Sequence, residues 1–128
     1  MSAAPGELAI VLHTHQPYVE GFGVWPFGEE WLWESIATSY LPLLDLLDAG
    51  APITLSLTPV LCDQLEAPGA MARCADFLAG IRVQTHREDI AAAAGEPGII
   101  AALEHSATRY AWARERLGAL GGDLIGAL

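Results

Sequence analysis

Two histidines separated by a single residue are the side chains of this sequence best placed to do chemistry. His13 and His15 follow the apolar run 8–12, which predicts a buried strand over residues 7–12 because it is too short for a helix and has polar neighbours. Residues at i and i+2 of a strand project from the same face, and Pro17 stops strand pairing because it has no N–H to donate. Ligands bind at the carboxyl ends of strands in α/β folds, so we expect both imidazoles at a ligand site.

The residues alone leave three interpretations of this pair open. The first is a pair of structural histidines satisfied by hydrogen bonds. The second is a pair of ligands for zinc, nickel or iron, which needs further ligands. His86 and His105 lie in predicted helices and are not expected to supply them. The third is hydrogen bonding to sugar hydroxyls, because neutral imidazole has one donor and one acceptor and Gln16 adds an amide.

An aromatic segment over residues 23–33 holds three of the four tryptophans. Aromatic rings stack on the apolar faces of pyranose sugars, and the indole N–H can reach a hydroxyl. Trp25 is the better ligand candidate because it lies in a loop beside the strand end. Trp33 lies past the predicted helix start and is expected to pack in the core.

Four glutamates near this segment are candidates for catalytic carboxylates. Glycoside chemistry needs two carboxyl groups on opposite sides of the scissile bond, and the sequence reveals no such pair. The positive end of the helix dipole accounts for Glu29 and Glu30, and a solvated helix face accounts for Glu34. We therefore expect none of these three residues, nor Glu20, to be the nucleophile or the acid.

The first half of the chain reads as strand, helix and strand. A helix is predicted to begin at residues 28–30, to kink or restart near 39–41 because of Pro42, and to end at a left-handed cap at Gly50. Strict alternation over 53–58 predicts a second strand, closed by the following proline. This order favours a parallel strand pair with a right-handed crossover.

The second half is predicted to be helical. Residues 58–65 are either a turn and a short packed helix or a further ligand segment at a strand end. One helix is expected over 70–94, and another begins at Pro97 and ends within 118–122. We interpret these two helices as an insertion after strand two.

Composition narrows the class of protein. The 128 residues are 52% hydrophobic and carry a net charge of −10, with no lysine and six arginines. Acidity disfavours nucleic acid and anionic membranes as partners. Cys62 and Cys74 match no zinc spacing and are expected to be buried thiols. Neither a signal peptide in residues 1–7 nor an apolar run of spanning length is present, so the cytoplasm is the default location.

The apolar excess also suggests part of a larger core, since a small domain has a large surface to cover with polar residues. A new apolar segment begins within residues 121–128. We therefore expect residues 1–128 to be a piece of a longer protein.

Three blocks together resemble glycoside hydrolase family 57, with the closest likeness to its α-1,4-glucan branching enzymes. The blocks are residues 13–18, 25–31 and 55–61, and the likeness is clear over the first half and loose over the helical remainder. The resemblance implies an α/β fold that is the incomplete N-terminal portion of a (β/α)7 barrel. It also implies a retaining double displacement on α-glucans such as glycogen or amylose, without a metal or an organic cofactor.

The same resemblance implies roles for individual residues. The substrate-binding residues it implies are His13, His15, Gln16, Trp25 and Trp31. The glutamate nucleophile and the aspartate acid/base belong to motifs expected downstream of Leu128, the last residue here, so the chain alone is expected to be inactive.

Two alternatives stay open: a metal-dependent barrel hydrolase that uses the histidine pair, and a non-catalytic glucan-binding module. Branching, hydrolysis and 4-α-glucan transfer share the barrel, so the sequence does not separate these three activities. It makes no prediction of oligomeric state.

Overall fold

A small parallel sheet and a larger helical layer form an α/β fold in the computed structural model, which describes residues 6–128. The strands are β1 (Ile10–His13) and β2 (Ile53–Ser56). The helices of these residues are α1 (Glu30–Ser35), a π-helical segment (Ile36–Tyr40), α2 (Leu41–Asp48), α3 (Pro59–Glu66), α4 (Ala70–Ala79), α5 (Ile81–Ala92), α6 (Pro97–Ala119) and α7 (Leu124–Ala127).

The two strands pair in parallel, with Ile10 opposite Ile53 and His13 opposite Ser56. The chain travels from β1 to β2 through α1, the π-helical segment and α2, so the predicted strand–helix–strand order is confirmed. β1 begins three residues later than predicted and includes His13. The sheet therefore brings the carboxyl ends of both strands, and the residues that follow them, to one edge.

The prediction that β1 is buried is wrong for these residues. Ile10 is 43% exposed, Val11 60% and the preceding Leu8 84%. Parallel strands are normally covered on both faces, and their apolar side chains reflect that covering. Among residues 6–128 the sheet has only two strands, so this apolar surface meets solvent.

The helix that follows the aromatic loop changes its winding just before Pro42. A proline cannot donate to the carbonyl four residues earlier, so an unbroken α-helix through it is costly. The backbone widens into the π-helical segment and restarts as α2 with Pro42 in its first turn, which confirms the predicted restart. Gly50, with φ of +81°, ends this region as expected.

Local capping separates the later helices differently from the prediction. Thr58 leaves the predicted strand, because its Oγ1 accepts from the Leu61 N–H at 3.3 Å and caps α3, with Pro59 in the first turn. The packed-helix interpretation of residues 58–65 is therefore confirmed. The single helix expected over 70–94 is wrong, since Gly80 has a non-helical backbone that separates α4 from α5.

The hydrophobic core lies between the helices and not on the sheet. Its fully buried side chains include Trp33, Ile36, Leu41, Leu61 and Phe77. Packing of Trp33, predicted from its place in α1, is confirmed. Leu128 is partly buried against this core.

The two cysteines differ in burial. Cys74 is buried as expected, while Cys62 is only partly so. Burial raises the pKa of the Cys74 thiol to about 12. The thiol of Cys74 is therefore protonated at neutral pH, which fits the packing role predicted for it.

Within residues 6–128 no helix combines the length and the apolar character needed to cross a membrane. Most of the N-terminal stretch in which no signal peptide is predicted, residues 1–5, lies outside the described residues.

Candidate functional site

The two histidines flank a buried threonine at the edge of the sheet. His13 and His15 are both exposed, while Thr14 is buried. Thr14 donates through its N–H and its Oγ1 to the Ser56 carbonyl, at 3.0 and 2.9 Å, and its Oγ1 accepts from the Thr58 N–H at 3.3 Å. The two strand ends are therefore joined beneath the imidazoles, a role for Thr14 that the sequence did not reveal.

Both imidazoles keep nitrogen atoms for a ligand. His13 Nδ1 lies 3.1 Å from Ser56 Oγ, which orients the ring. Among residues 6–128, no protein group forms a hydrogen bond with His13 Nε2 or with either ring nitrogen of His15. Such nitrogens can donate to and accept from sugar hydroxyls, or bind a metal.

Gln16 links the strand end to the aromatic segment. Its Nε2 donates to Ser35 Oγ, which in turn donates to the Trp31 carbonyl at 2.9 Å. Burial raises the pKa of the Tyr40 hydroxyl, and the nearby Gln16 amide opposes part of that rise. Part of the Gln16 hydrogen-bonding capacity is thus used within the protein to hold the loop against α1.

A second glutamine fixes the loop that follows. Gln64 of α3 is buried; its Oε1 accepts from the Val19 N–H at 2.7 Å, and its Nε2 donates to the Pro17 carbonyl at 3.1 Å. Both backbone groups belong to the loop directly after the histidine pair. No sequence signal pointed to Gln64, because its partners lie 45 and 47 residues away.

An open aromatic groove adjoins the histidine edge, because Pro17 lines it. Its rings belong to Tyr18, Phe22, Phe27 and Trp31, all between 52% and 77% exposed, and its volume is about 290 Å³. Exposed aromatic rings around a concave surface are suited to stacking against sugar faces. Hydrogen bonding to the Glu20 carboxylate at 2.7 Å raises the pKa of Tyr18.

Trp25 is placed apart from this groove. It is 47% exposed and packs at a tilt against Phe77, with ring centroids 6.2 Å apart. The structure therefore brings Trp31, but not Trp25, into the aromatic groove.

Gly28 closes the loop that carries these rings. A Cβ atom on Gly28 would lie 2.4 Å from the Gly23 carbonyl oxygen, a contact with backbone that cannot rotate away. We expect Gly28→Ala to displace the loop and lower the free energy of unfolding by about 1–3 kcal/mol. Gly118→Ala in α6 meets open space and is expected to stabilise by up to about 1 kcal/mol. Urea denaturation of both variants tests this, and equal effects would contradict it.

The carboxylates of α1 have roles other than those expected from the helix dipole. Glu29 is buried and forms a bidentate pair with Arg73 of α4, at 2.7 and 3.0 Å. Glu34, expected on a solvated face, is half-buried; burial raises its pKa, and Arg82, 3.3 Å away, opposes this. The solvated-face interpretation of Glu34 is therefore wrong, whereas Glu29 lies at the N-cap of α1 as expected and has in addition an ion-pair partner that the sequence did not predict.

Glu30 is also buried, at 3% exposure, and among residues 6–128 neither of its carboxyl oxygens has a hydrogen-bond partner. The helix N-terminus does not account for that burial. The three glutamates at the start of α1 and within it do not form an exposed pair flanking one groove.

The catalytic carboxylates expected downstream of Leu128 stay a prediction, because the structure describes no residue beyond Leu128. Leu128 itself carries no chemistry: its N–H donates to the Leu124 carbonyl at 3.1 Å, and its side chain packs against the core. Within residues 6–128 we assign no side chain to the nucleophile or to the acid/base.

The described residues contain no cluster of three or more His, Cys, Asp or Glu able to hold a metal ion. His86 is buried between α5 and α6, and His105 is exposed on α6; neither forms such a cluster with the pair at the strand end. A metal at His13 and His15 would need ligands from outside these residues.

The chain is similar in sequence to two proteins named as 1,4-alpha-glucan branching enzymes. No protein-family model matches the chain. A "Probable 1,4-alpha-glucan branching enzyme" of Mycobacterium tuberculosis is 49% identical over 73 residues, which are 52% of this chain and 14% of that protein. A 1,4-alpha-glucan branching enzyme of Thermococcus kodakarensis is 52% identical over 66 residues, 47% of this chain and 10% of that one.

Solved structures extend the likeness over nearly the whole chain. The GH57-type branching enzyme from Pyrococcus horikoshii matches with a TM-score of 0.81 and 31% identity, over 95% of this chain and 24% of that one. The alpha-amylase AmyC from Thermotoga maritima matches with a TM-score of 0.79 at 21% identity, over 95% of this chain and 24% of that one, which shows a shared fold. The resemblance to family 57 branching enzymes indicated by the motifs is therefore confirmed, and the chain spans a small part of their length.

Proposed function

We propose that this chain forms part of the glucan-binding side of a retaining 1,4-α-glucan branching enzyme. The observation that carries the proposal is the structural match to a GH57-type branching enzyme over 95% of the chain. The exposed histidine pair and the adjoining aromatic groove provide polar and stacking contacts for one sugar chain. The substrate class is an α-glucan of the glycogen or amylose type.

The exposed sheet supports a place within a larger barrel. Ile10 and Val11 of β1, and Leu8 just before it, are exposed to solvent, although parallel strands are normally covered on both faces. Further strands, supplied by polypeptide outside these 128 residues, would pair with the sheet edges and cover this surface. We propose that the chain is the first part of a (β/α)7 barrel in which α4 to α6 are an insertion after β2.

The chemistry then divides between this chain and the rest of the barrel. A glutamate from downstream of Leu128 attacks the anomeric carbon and expels the remaining glucan, which an aspartic acid protonates. The 6-hydroxyl of a second glucan then displaces the glutamate, with the aspartate as base, so the anomeric configuration is retained. His13 and His15 hold the sugar at the cleavage point through its hydroxyls, and Trp31 stacks on a neighbouring ring.

The first test is the inactivity of the chain alone. Incubated with amylose, the 128-residue chain is expected to leave the iodine stain unchanged and to form no branch points, because its described residues hold no catalytic pair of carboxylates. A family 57 branching enzyme in parallel provides the positive control. New α-1,6 linkages formed by the chain would show that carboxylates elsewhere are not needed, and would overturn this division of roles.

The exposed nitrogens of the histidine pair keep one alternative testable. In a metal-dependent hydrolase, zinc would purify with the chain in stoichiometric amount and would be lost on His13→Ala. We expect zinc well below one equivalent in both proteins by elemental analysis. Stoichiometric, histidine-dependent zinc would favour the metal enzyme over the sugar site.

A further inference from the structure

A cleft between α5 and α6, away from the histidine edge, has an apolar interior. Val83 and Ile90 of α5 form one wall, and Ala107 and Ala111 of α6 form the other. Alanine side chains end at Cβ, so they leave the space between the helices open. The cleft has a volume of about 480 Å³, within the range of small-molecule sites.

One wall of the cleft is held rigid by His86. Its Nδ1 donates to the Arg82 carbonyl at 2.9 Å, and its Nε2 is hydrogen-bonded to Ser106 Oγ at 3.0 Å. The ring packs against Tyr110, with centroids 5.2 Å apart. Both nitrogens of His86 are thus used in joining α5 to α6, which leaves the ring as a fixed surface.

The arginines that line the cleft are opposite in sign to the net charge of the chain. The chain has sixteen acidic residues and six arginines, yet the lining includes Arg87 and Arg114 and no carboxylate. Within the part of the chain that the structure describes, neither arginine forms an ion pair, whereas Arg73, Arg82 and Arg116 all do. Two guanidinium groups beside an apolar cleft favour a ligand that combines an apolar body with a negative group.

We propose that this cleft binds a small aliphatic carboxylate. Its hydrocarbon tail lies between the apolar walls of α5 and α6, and its carboxylate accepts hydrogen bonds from the arginines at the rim. The site is separate from the histidine pair and the aromatic groove, so it does not depend on the proposed glucan chemistry.

The test compares three probes that share a tail and differ in the head group. Octanoate, octanol and octylammonium are titrated into the isotopically labelled 128-residue chain and followed by NMR. Octanoate is expected to bind at least about tenfold more tightly than the other two, because it alone pairs with arginine. Its largest shifts are expected at the methyl groups of Ala107 and Ala111. Equal binding of the three probes, or largest shifts elsewhere, would overturn the proposal.

Variants distinguish binding in the cleft from non-specific binding to an apolar surface. The double variant Arg87→Gln with Arg114→Gln is expected to bind octanoate about tenfold more weakly and to bind octanol with unchanged affinity. Arg109→Gln removes one positive charge from α6 outside the cleft, and serves as the control for Arg114→Gln alone, which removes one from the same helix at the cleft. Ala111→Leu, which fills the cleft, is expected to abolish binding of all three probes. Unchanged octanoate affinity in the double variant, or an equal loss in the control, would contradict the site.

Discussion

Replacing Trp33 with alanine is expected to lower the free energy of unfolding by about 3–5 kcal/mol. The side chain is 0% exposed and lies in the core that α1 shares with α4 and α6. Its removal takes a large apolar area out of the core and leaves a cavity that neighbouring side chains refill only in part. Urea denaturation followed by circular dichroism measures the change, with the slope of the transition confirming that both proteins unfold alike.

Two variants serve as controls for this prediction. Trp31→Ala alters a tryptophan two positions away that is 52% exposed, and is expected to cost less than about 1 kcal/mol. Trp33→Phe is expected to cost less than Trp33→Ala, because it keeps most of the ring and removes an indole N–H that has no acceptor within residues 6–128. Equal losses for Trp31→Ala and Trp33→Ala would contradict the assignment of one to the groove and the other to the core.

Replacing Arg73 with methionine is expected to lower the free energy of unfolding by about 2–3 kcal/mol. The change leaves the Glu29 carboxylate buried without its bidentate partner, and an uncompensated buried charge is costly. The Arg73 side chain is 36% exposed, so water offsets part of the loss and the effect falls below that of a fully buried pair. Thermal and urea denaturation both measure it.

A double-mutant cycle isolates the contribution of the pair. Glu29→Gln together with Arg73→Met removes both charges, and is expected to be more stable than the sum of the two single changes predicts. Additive losses would show that the two side chains do not interact across α1 and α4. Arg109→Gln, an exposed arginine without an ion pair in the described part of the chain, is the control for lost positive charge and is expected to change stability by less than about 0.5 kcal/mol.

The features that the sequence predicted well are those that local chemistry determines. Pro42 interrupts its own helix because it lacks an N–H. The alternation of apolar and polar residues indicates β2, so the strand–helix–strand order could be predicted from the sequence. The break at Gly80 was missed because residues 70–79 before it are rich in alanine, and a single glycine disfavours a helix by only about 1 kcal/mol. The exposure of β1 could not be predicted from the sequence, because it depends on which other elements cover the strand.

The candidate site also combines features that local sequence determines with contacts between residues far apart in the chain. The period of two along a strand predicted His13 and His15 on one side, and both are exposed while Thr14 between them is buried. The contacts that hold the site lie 42 to 47 residues apart in the sequence: Thr14 with Ser56, Gln64 with the loop, and Arg73 with Glu29. Such pairings follow from tertiary packing, which a single sequence does not reveal.

The most direct measurement of the proposed glucan surface is affinity electrophoresis of the chain in gels with and without glycogen. We expect glycogen to retard the wild-type chain, and Trp31→Ala and the double variant His13→Ala with His15→Ala each to weaken binding by about tenfold. Ile99→Ala, which removes an equally exposed apolar side chain from α6, is expected to migrate like the wild type. A wild-type chain that glycogen does not retard, or variants retarded as strongly as the wild type, would contradict a sugar-binding role for the histidine pair and the aromatic groove.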